Sequence, residues 1–239
     1  MVGASYSRIR IQHSHISLDI IKLSILSATI DDCHELALFV RDYRKTGSKP
    51  LLAVGMGANG QLSRITSPIS LVTHPMIPFP SAPGQLSLAE VNQALHLMGQ
   101  LPEQQFHIFS SQGSPKAEAL NVAFQELGYH YFCTAHTETE GIEELVASPN
   151  FGGAAFDNAE SFKFGTLRKT VEWKGQFEDV DTISVQTDNA GARSLIGHNV
   201  RPGTKGHSQS TSLEEVCQWF SIWTGRRAPR TVIADSLKG

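Results

Sequence analysis

The chain is poor in the features that assign a protein quickly. Cysteine is scarce: Cys33, Cys133 and Cys217 are the only 3 among 239 residues. They are too far apart for a metal-ligand spacing and odd in number, so no disulfide framework is expected. That usage suits a reducing compartment, cytoplasmic or nuclear. Long apolar runs are absent too, and none approaches the roughly 20 residues of a membrane span. Residues Met1–Gln12 lack the apolar core of a secretion signal. An excess of one charge is also missing: 20 Lys and Arg against 23 Asp and Glu give a formal net charge of -3. No basic face is implied, so direct nucleic-acid binding has no electrostatic support. What remains is a packed globular composition, 40% apolar and 18% charged, with enough length for one large domain or two small ones.

Periodicity then divides the chain. Leu18–Leu26 (LDIIKLSIL) is a short aliphatic run of the kind that forms a buried parallel strand. Thr29 or Asp31 can cap the helix that follows, where Ile30, Cys33, Leu36, Ala37, Val40 and Tyr43 recur at helical spacing. Gly47 ends it, and Leu51–Met56 reads as the next strand, completing a βαβ unit. Val72 and Thr73 suggest a short strand. Ser87 caps a helix through about Met98, with Glu90 placed for a capping box. A boundary falls near Leu101–Gln105. A second α/β series follows: strand Phe106–Ser110, helix near Pro115–Leu127, strand Tyr129–Cys133, helix Glu138–Ala147 and strand Gly152–Phe156. Gly197–Ser212 reads as a loop, Leu213–Thr224 as an apolar-faced helix and Thr231–Ala234 as a last strand.

Lys22 is the first chemical anomaly. A parallel strand is expected to be buried on both faces, and an ammonium without a partner is costly there. A desolvated, neutral amine can attack a carbonyl and form an imine. A lysine that snorkels to solvent is the plainer alternative. The residues that follow sharpen the choice. Met56–Arg64 (MGANGQLSR) comes directly after a strand end, where α/β folds build sites. Its glycines allow close backbone approach to a ligand, and Arg64 offers a planar fork for a carboxylate. Ser81-Ala-Pro-Gly-Gln85 is a stiff turn ending in an amide. A lysine, an arginine, a serine and a glutamine after successive strands suit a polyhydroxy acid that carries a ketone. His74 offers an imidazole nearby, with a structural loop role as its alternative.

These segments resemble type I 3-dehydroquinate dehydratase, a (β/α)8 barrel, from about Ile16 to Met98. IIKL, GMGANGQLSR, VTHPMIPF, SAPGQLS and NQALHLMG carry the resemblance. It implies that Lys22 is the Schiff-base lysine, that Arg64, Ser81 and Gln85 bind substrate, and that Met56 lines the pocket. The family's catalytic histidine lies well upstream of its lysine, and His13 and His15 are too near Lys22 to occupy that strand. About the last three barrel strands are expected in this chain.

Residues from Phe106 to about Ile196 resemble the substrate-binding domain of shikimate dehydrogenase through HIFSSQGSP, ALNVAFQELG, FGGAAF and QTDNAGARSLI. Asp188 then falls on the catalytic aspartate. The catalytic-lysine position holds Ser161, with Lys163 two residues on, and the paired carboxylate-binding serines are shortened to Ser111-Gln-Gly-Ser114. Asp181 stands where a substrate-binding asparagine is expected, which sets carboxylate against carboxylate. Thr231–Gly239 supplies no glycine cradle for NADP, so no cofactor is expected.

The order dehydratase then dehydrogenase is that of the fungal pentafunctional arom protein and of the fungal quinate repressor, which resembles its C-terminal part. The expected fold is therefore α/β: residues 1–100 the C-terminal part of a (β/α)8 barrel, and residues 101–239 a dehydrogenase-like substrate-binding domain without its NADP domain. The first functional reading is a non-catalytic regulator of quinate and shikimate metabolism, binding a 3-dehydroquinate or quinate-type metabolite or a transcriptional activator protein. The alternative is a 3-dehydroquinate dehydratase, or a fragment of a bifunctional dehydratase and dehydrogenase, working through Lys22.

Overall fold

The computed structural model describes residues 19–74, 76–79, 84–110, 114–138, 141–156, 172–174, 180–188, 190–200 and 212–238. The chain divides into two compact units, Met1–Met98 and Gly99–Gly239.

In the first unit, strand β1 (Ile21–Leu26) leads through helix α1 (Ile30–Thr46) to strand β2 (Leu51–Met56). The strands pair in parallel, with Lys22 opposite Leu52 and Leu26 opposite Met56. This is the expected βαβ unit. Thr29 starts α1 with a capping box: its hydroxyl accepts the Asp32 N–H, and the Asp32 carboxylate accepts the Thr29 N–H at 2.8 Å. Such a cap stabilises a helix by about 1 kcal/mol. Leu36 and Val40 of α1 pack on Leu51 and Ala53, with Ile21, Leu23 and Ile25 against them. A short 3-10 turn (Ala58–Gly60) and helix α2 (Gln61–Thr66) follow β2. Helix α3 (Leu88–Leu97) opens on the predicted Ser87–Glu90 capping box. The strand expected at Val72–Thr73 is a single bridge from Thr73 to Ser87.

The second unit runs β3 (Gln104–Phe109), α4 (Pro115–Glu126), β4 (Tyr131–His136), α5 (Ile142–Ala147), β5 (Phe151–Phe156), β6 (Glu172–Lys174), β7 (Thr182–Thr187), β8 (Arg193–His198), α6 (Ser212–Thr224) and α7 (Arg230–Ser236). Its sheet has the order β4-β3-β5-β7-β8-β6. The first three strands are parallel, and β5–β7 and β7–β8 are antiparallel. Strand alternation gives the sheet two cores. Phe106 and Ile108 join Leu120, Phe124, Trp219, Phe220 and Ile233 of α4, α6 and α7. Phe109 joins Ile142 and Val146 of α5, with Phe151, Phe156, Ile183 and Leu195. Phe106 stacks on Trp223 at 4.7 Å, while the Trp223 indole N–H donates to the Ile183 carbonyl at 3.0 Å. The glycine pair of FGGAAF serves this packing. A Cβ on Gly152 would lie 2.6 Å from the Phe106 ring, and one on Gly153 2.4 Å from the Ile183 oxygen.

Two expectations need correction here. Thr231–Ala234 is not a strand but the middle of α7. Its β-branched residues favour strands locally, yet Ile233 is fully buried against α4 and α6, and packing of that kind overrides propensity. The helix expected from Glu138 begins at Ile142, after Gly141 in the left-handed region at φ 77°, a conformation only glycine adopts without strain. The predicted loop Gly197–Ser212 begins inside β8, and its residues 201–211 lie outside the described residues.

One contact in this unit titrates. His107 of β3 and His136 of β4 meet Nδ1 to Nε2 at 3.0 Å, and their rings stack on Phe151 and Phe109. Burial pushes His107 down to about 4, with the His136 charge adding to it. Burial also lowers His136. The unfolded chain therefore takes up protons near pH 6.5 that the folded chain refuses. The pair's stabilisation is complete above about pH 6.5 and is lost as pH falls towards 4. Denaturant midpoints measured across that window are expected to fall more steeply for the wild type than for His107→Phe, which keeps the ring stack and cannot be protonated.

Candidate ligand cavity at the Lys22 strand

The parallel pair β1–β2 is two-sided. Ile21, Leu23 and Ile25 pack towards α1, so Lys22, Ser24 and Leu26 project from the other face. A cavity of about 150 Å3 opens there. Lys22, Met56, Arg64 and Gln85 all line it, together with Ser24, Leu52, Val54, Ile69, Ser70 and Leu71. Four of the residues singled out from sequence thus share one cavity. Ser81 lies outside the described residues. A larger hollow of about 450 Å3 faces the α1 side and is lined by Leu36, Val40, Arg41, Arg44, Lys45 and Thr66, among others. It contains none of the predicted site residues, so size alone does not identify the site.

Burial corrects the picture of Lys22. It is exposed, because β1 alternates between half-buried and exposed residues rather than being buried on both faces. Described residues pack closely on the α1 side of the strand, and on the other face they line the cavity. The apolar enclosure expected around the amine is thus incomplete in the described structure. Arg64 shows the reverse pattern, at 6% exposure on α2.

The loop before Arg64 owes its shape to contacts the sequence reading did not foresee. Gly55 and Gly60 meet backbone to backbone, and a Cβ on Gly60 would lie 2.3 Å from the Gly55 carbonyl carbon. Gly60 therefore admits the chain itself rather than a ligand. Gly57 turns the chain at φ 85°. The buried Ser63 hydroxyl accepts the Gly55 N–H at 2.8 Å and donates to the Gly60 carbonyl at 2.7 Å. Asn59 donates to the Ala28 carbonyl at 2.7 Å, tying the turn to the end of β1. Ser63 and Asn59 thus position Arg64. Their only sequence signal was adjacency to it within a glycine-rich turn. His74, weighed as a base, is exposed, and its Nδ1 accepts the Met76 N–H at 3.1 Å, which stabilises a turn.

In the second unit, the dehydrogenase-like carboxylates serve the backbone. Asp188 sits at the β7–β8 hairpin, where its Oδ1 accepts the N–H groups of Ala190 and Ala192, both at 2.8 Å. Asp181 is buried and accepts the Val200 N–H and the Thr182 hydroxyl. These donors give Asp181 a role inside the fold. Ser161 and Lys163 lie outside the described residues.

Comparison with known proteins agrees with the geometry of the first unit. Residues 6–102 match the family model of Type I 3-dehydroquinase, so that stretch is dehydroquinase-like. Over 230 residues, or 91% of its length, the chain is 40% identical to the pentafunctional AROM polypeptide of Mycosarcoma maydis. It is 39% identical over 190 residues to that of Malassezia globosa. The chain spans only 12% of the length of either relative. A solved structure, dehydroquinate dehydratase and shikimate dehydrogenase from S. pombe AroM, aligns with 76% of this chain and 35% of its own at a TM-score of 0.62 and 27% identity. Among the described residues no helix is long and apolar enough to cross a membrane.

Ser63 gives the positioning scheme a direct test. Ser63→Ala leaves the buried Gly55 N–H without its acceptor, a loss of roughly 1–3 kcal/mol. Urea denaturation is expected to show that loss, whereas Ser67→Ala, whose half-buried hydroxyl only meets the Ile69 carbonyl, should change stability by less than about 0.5 kcal/mol.

Proposed function

We propose that the first unit captures a 3-dehydroquinate-type keto acid through an imine on Lys22. The observation that carries this reading is the convergence of Lys22, Met56, Arg64 and Gln85 on one cavity. Each has a role that follows from its chemistry. Lys22 supplies the nucleophilic nitrogen. Arg64, rigidly seated on α2, takes the carboxylate with a two-pronged fork. Gln85 and Ser81 serve ring hydroxyls, and Met56 gives a polarisable wall. The dehydroquinase match over residues 6–102 supports the assignment.

The similar polypeptides are AROM proteins, which favours the dehydratase alternative over the metabolic regulator. The activator-protein partner draws no support from them. Residues 101–239 are read as a dehydrogenase-like substrate-binding unit in which Asp188, at the aspartate position, also holds a hairpin, and Asp181, in place of an asparagine, also accepts the Val200 N–H. Imine formation and turnover are separable properties. The described lining of the cavity holds no carboxylate or imidazole, so capture by Lys22 is the step this lining supports.

Reduction with cyanoborohydride in the presence of 3-dehydroquinate is expected to fix a stable adduct on Lys22, located by peptide mass spectrometry. Lys22→Met should abolish it without loss of stability, because the residue is exposed. Arg64→Gln should raise the ligand concentration needed for half-maximal trapping by roughly 10–100-fold, the worth of a charged hydrogen bond. Unchanged trapping in Lys22→Met would refute the assignment.

A further inference from the structure

The cavity contains a polar group that none of these roles uses. Ser24 follows Lys22 by two positions on β1, projects from the same face and lines the same cavity. Two positions along a strand span about 6.6 Å, within the arc swept by a lysine side chain and what is bonded to it. Ser24, like Lys22, is exposed on that face. Its neighbours are Leu23 and Ile25, and its register partner on β2 is Val54. No described residue shares a hydrogen bond with its hydroxyl. Leu52, Val54, Met56 and Leu71 make the apolar part of the lining, and Arg64, Ser70 and Gln85 add polar groups from other elements, so this hydroxyl is the polar group of β1 nearest in sequence to the Lys22 amine.

We propose that Ser24 contacts the bound ligand and holds the oxygen that leaves when the imine forms. The inference rests on the Lys22 reading. In that chemistry the amine lone pair makes the C–N bond, and the carbonyl π pair moves to oxygen. The oxygen takes a proton as nitrogen gives one up, and a carbinolamine results. The C–O bond then breaks with its electron pair, the oxygen takes a second proton and departs as water, and nitrogen gives up its own second proton as it closes the C=N bond. A hydroxyl that both donates and accepts passes these protons without net change.

Threonine and valine separate hydroxyl from shape, since they are nearly isosteric and both favour strands. Two quantities are to be read. One is the rate of adduct formation with 3-dehydroquinate at saturating cyanoborohydride. The other is affinity for quinate, which has no ketone and makes no imine. Ser24→Thr is expected to trap within about twofold of wild type. Ser24→Val is expected to be slower by at least about tenfold, with quinate affinity within about twofold for both. Val trapping at the wild-type rate overturns the role of Ser24 and leaves the Lys22 reading standing. Equal slowing in both variants assigns the effect to shape and overturns it too. Absence of an adduct in the wild type overturns the Lys22 reading, and this inference falls with it.

Discussion

A parallel strand pair has two faces, and the side of β1 that α1 covers decides everything else in the first unit. Leu36 and Val40 claim Ile21, Leu23 and Ile25. That choice turns Lys22 and Ser24 to the other side. A slip of one residue would put Lys22 into the aliphatic cluster and expel Leu23. The register with β2, from Lys22–Leu52 to Leu26–Met56, therefore sets which side chains face the cavity as well as how the strands pack. The Thr29 cap fixes where α1 starts, and the Gly55–Gly60 contact fixes how α2 leaves β2. Lys22 and Arg64 reach one cavity only because both anchors hold.

Much of this was legible in the residues, for reasons that can be named. Strand β2 and the Thr29 and Ser87 helix starts were readable because caps and aliphatic runs are local signals. The meeting of Lys22, Arg64 and Gln85 in one cavity was anticipated from the order of their segments, and Met56 from the dehydroquinase resemblance. The exposure of Lys22 was not legible, since a run such as IIKLSIL does not reveal which of its faces will be covered. Ser63 was not either, because its partners are backbone atoms of glycines whose approach is a tertiary event. The α7 segment misled for a related reason: TVIA has strand propensity, and only Ile233 in the α4–α6 core reveals the helix.

In the second unit the residues singled out from sequence have structural partners. Asp188 holds a hairpin, Asp181 binds the Val200 N–H, and Gly152 and Gly153 make room for Phe106, Trp223 and the Ile183 carbonyl. Lys116 of α4 is paired with Glu215 of α6 at 2.8 Å and lies 5.2 Å from the centre of the Trp219 ring. Breaking so well covered a pair would leave one charge poorly compensated, which costs more than the pair itself contributes. Asp188 meets both of its N–H donors with Oδ1 alone, so one carboxylate oxygen is enough to hold the hairpin. These contacts give the residues a structural reason to be present whatever the unit binds.

The same physics bears on Lys22 from the opposite direction. A strand with one covered face sends alternate side chains to the open one. Lys22 is therefore exposed beside Leu52 and Val54 of β2 rather than enclosed. Arg64 reaches the same cavity from α2, where it is buried. The exposed amine and the buried guanidinium thus face one space from two elements, and the burial expected at Lys22 is met at Arg64 instead.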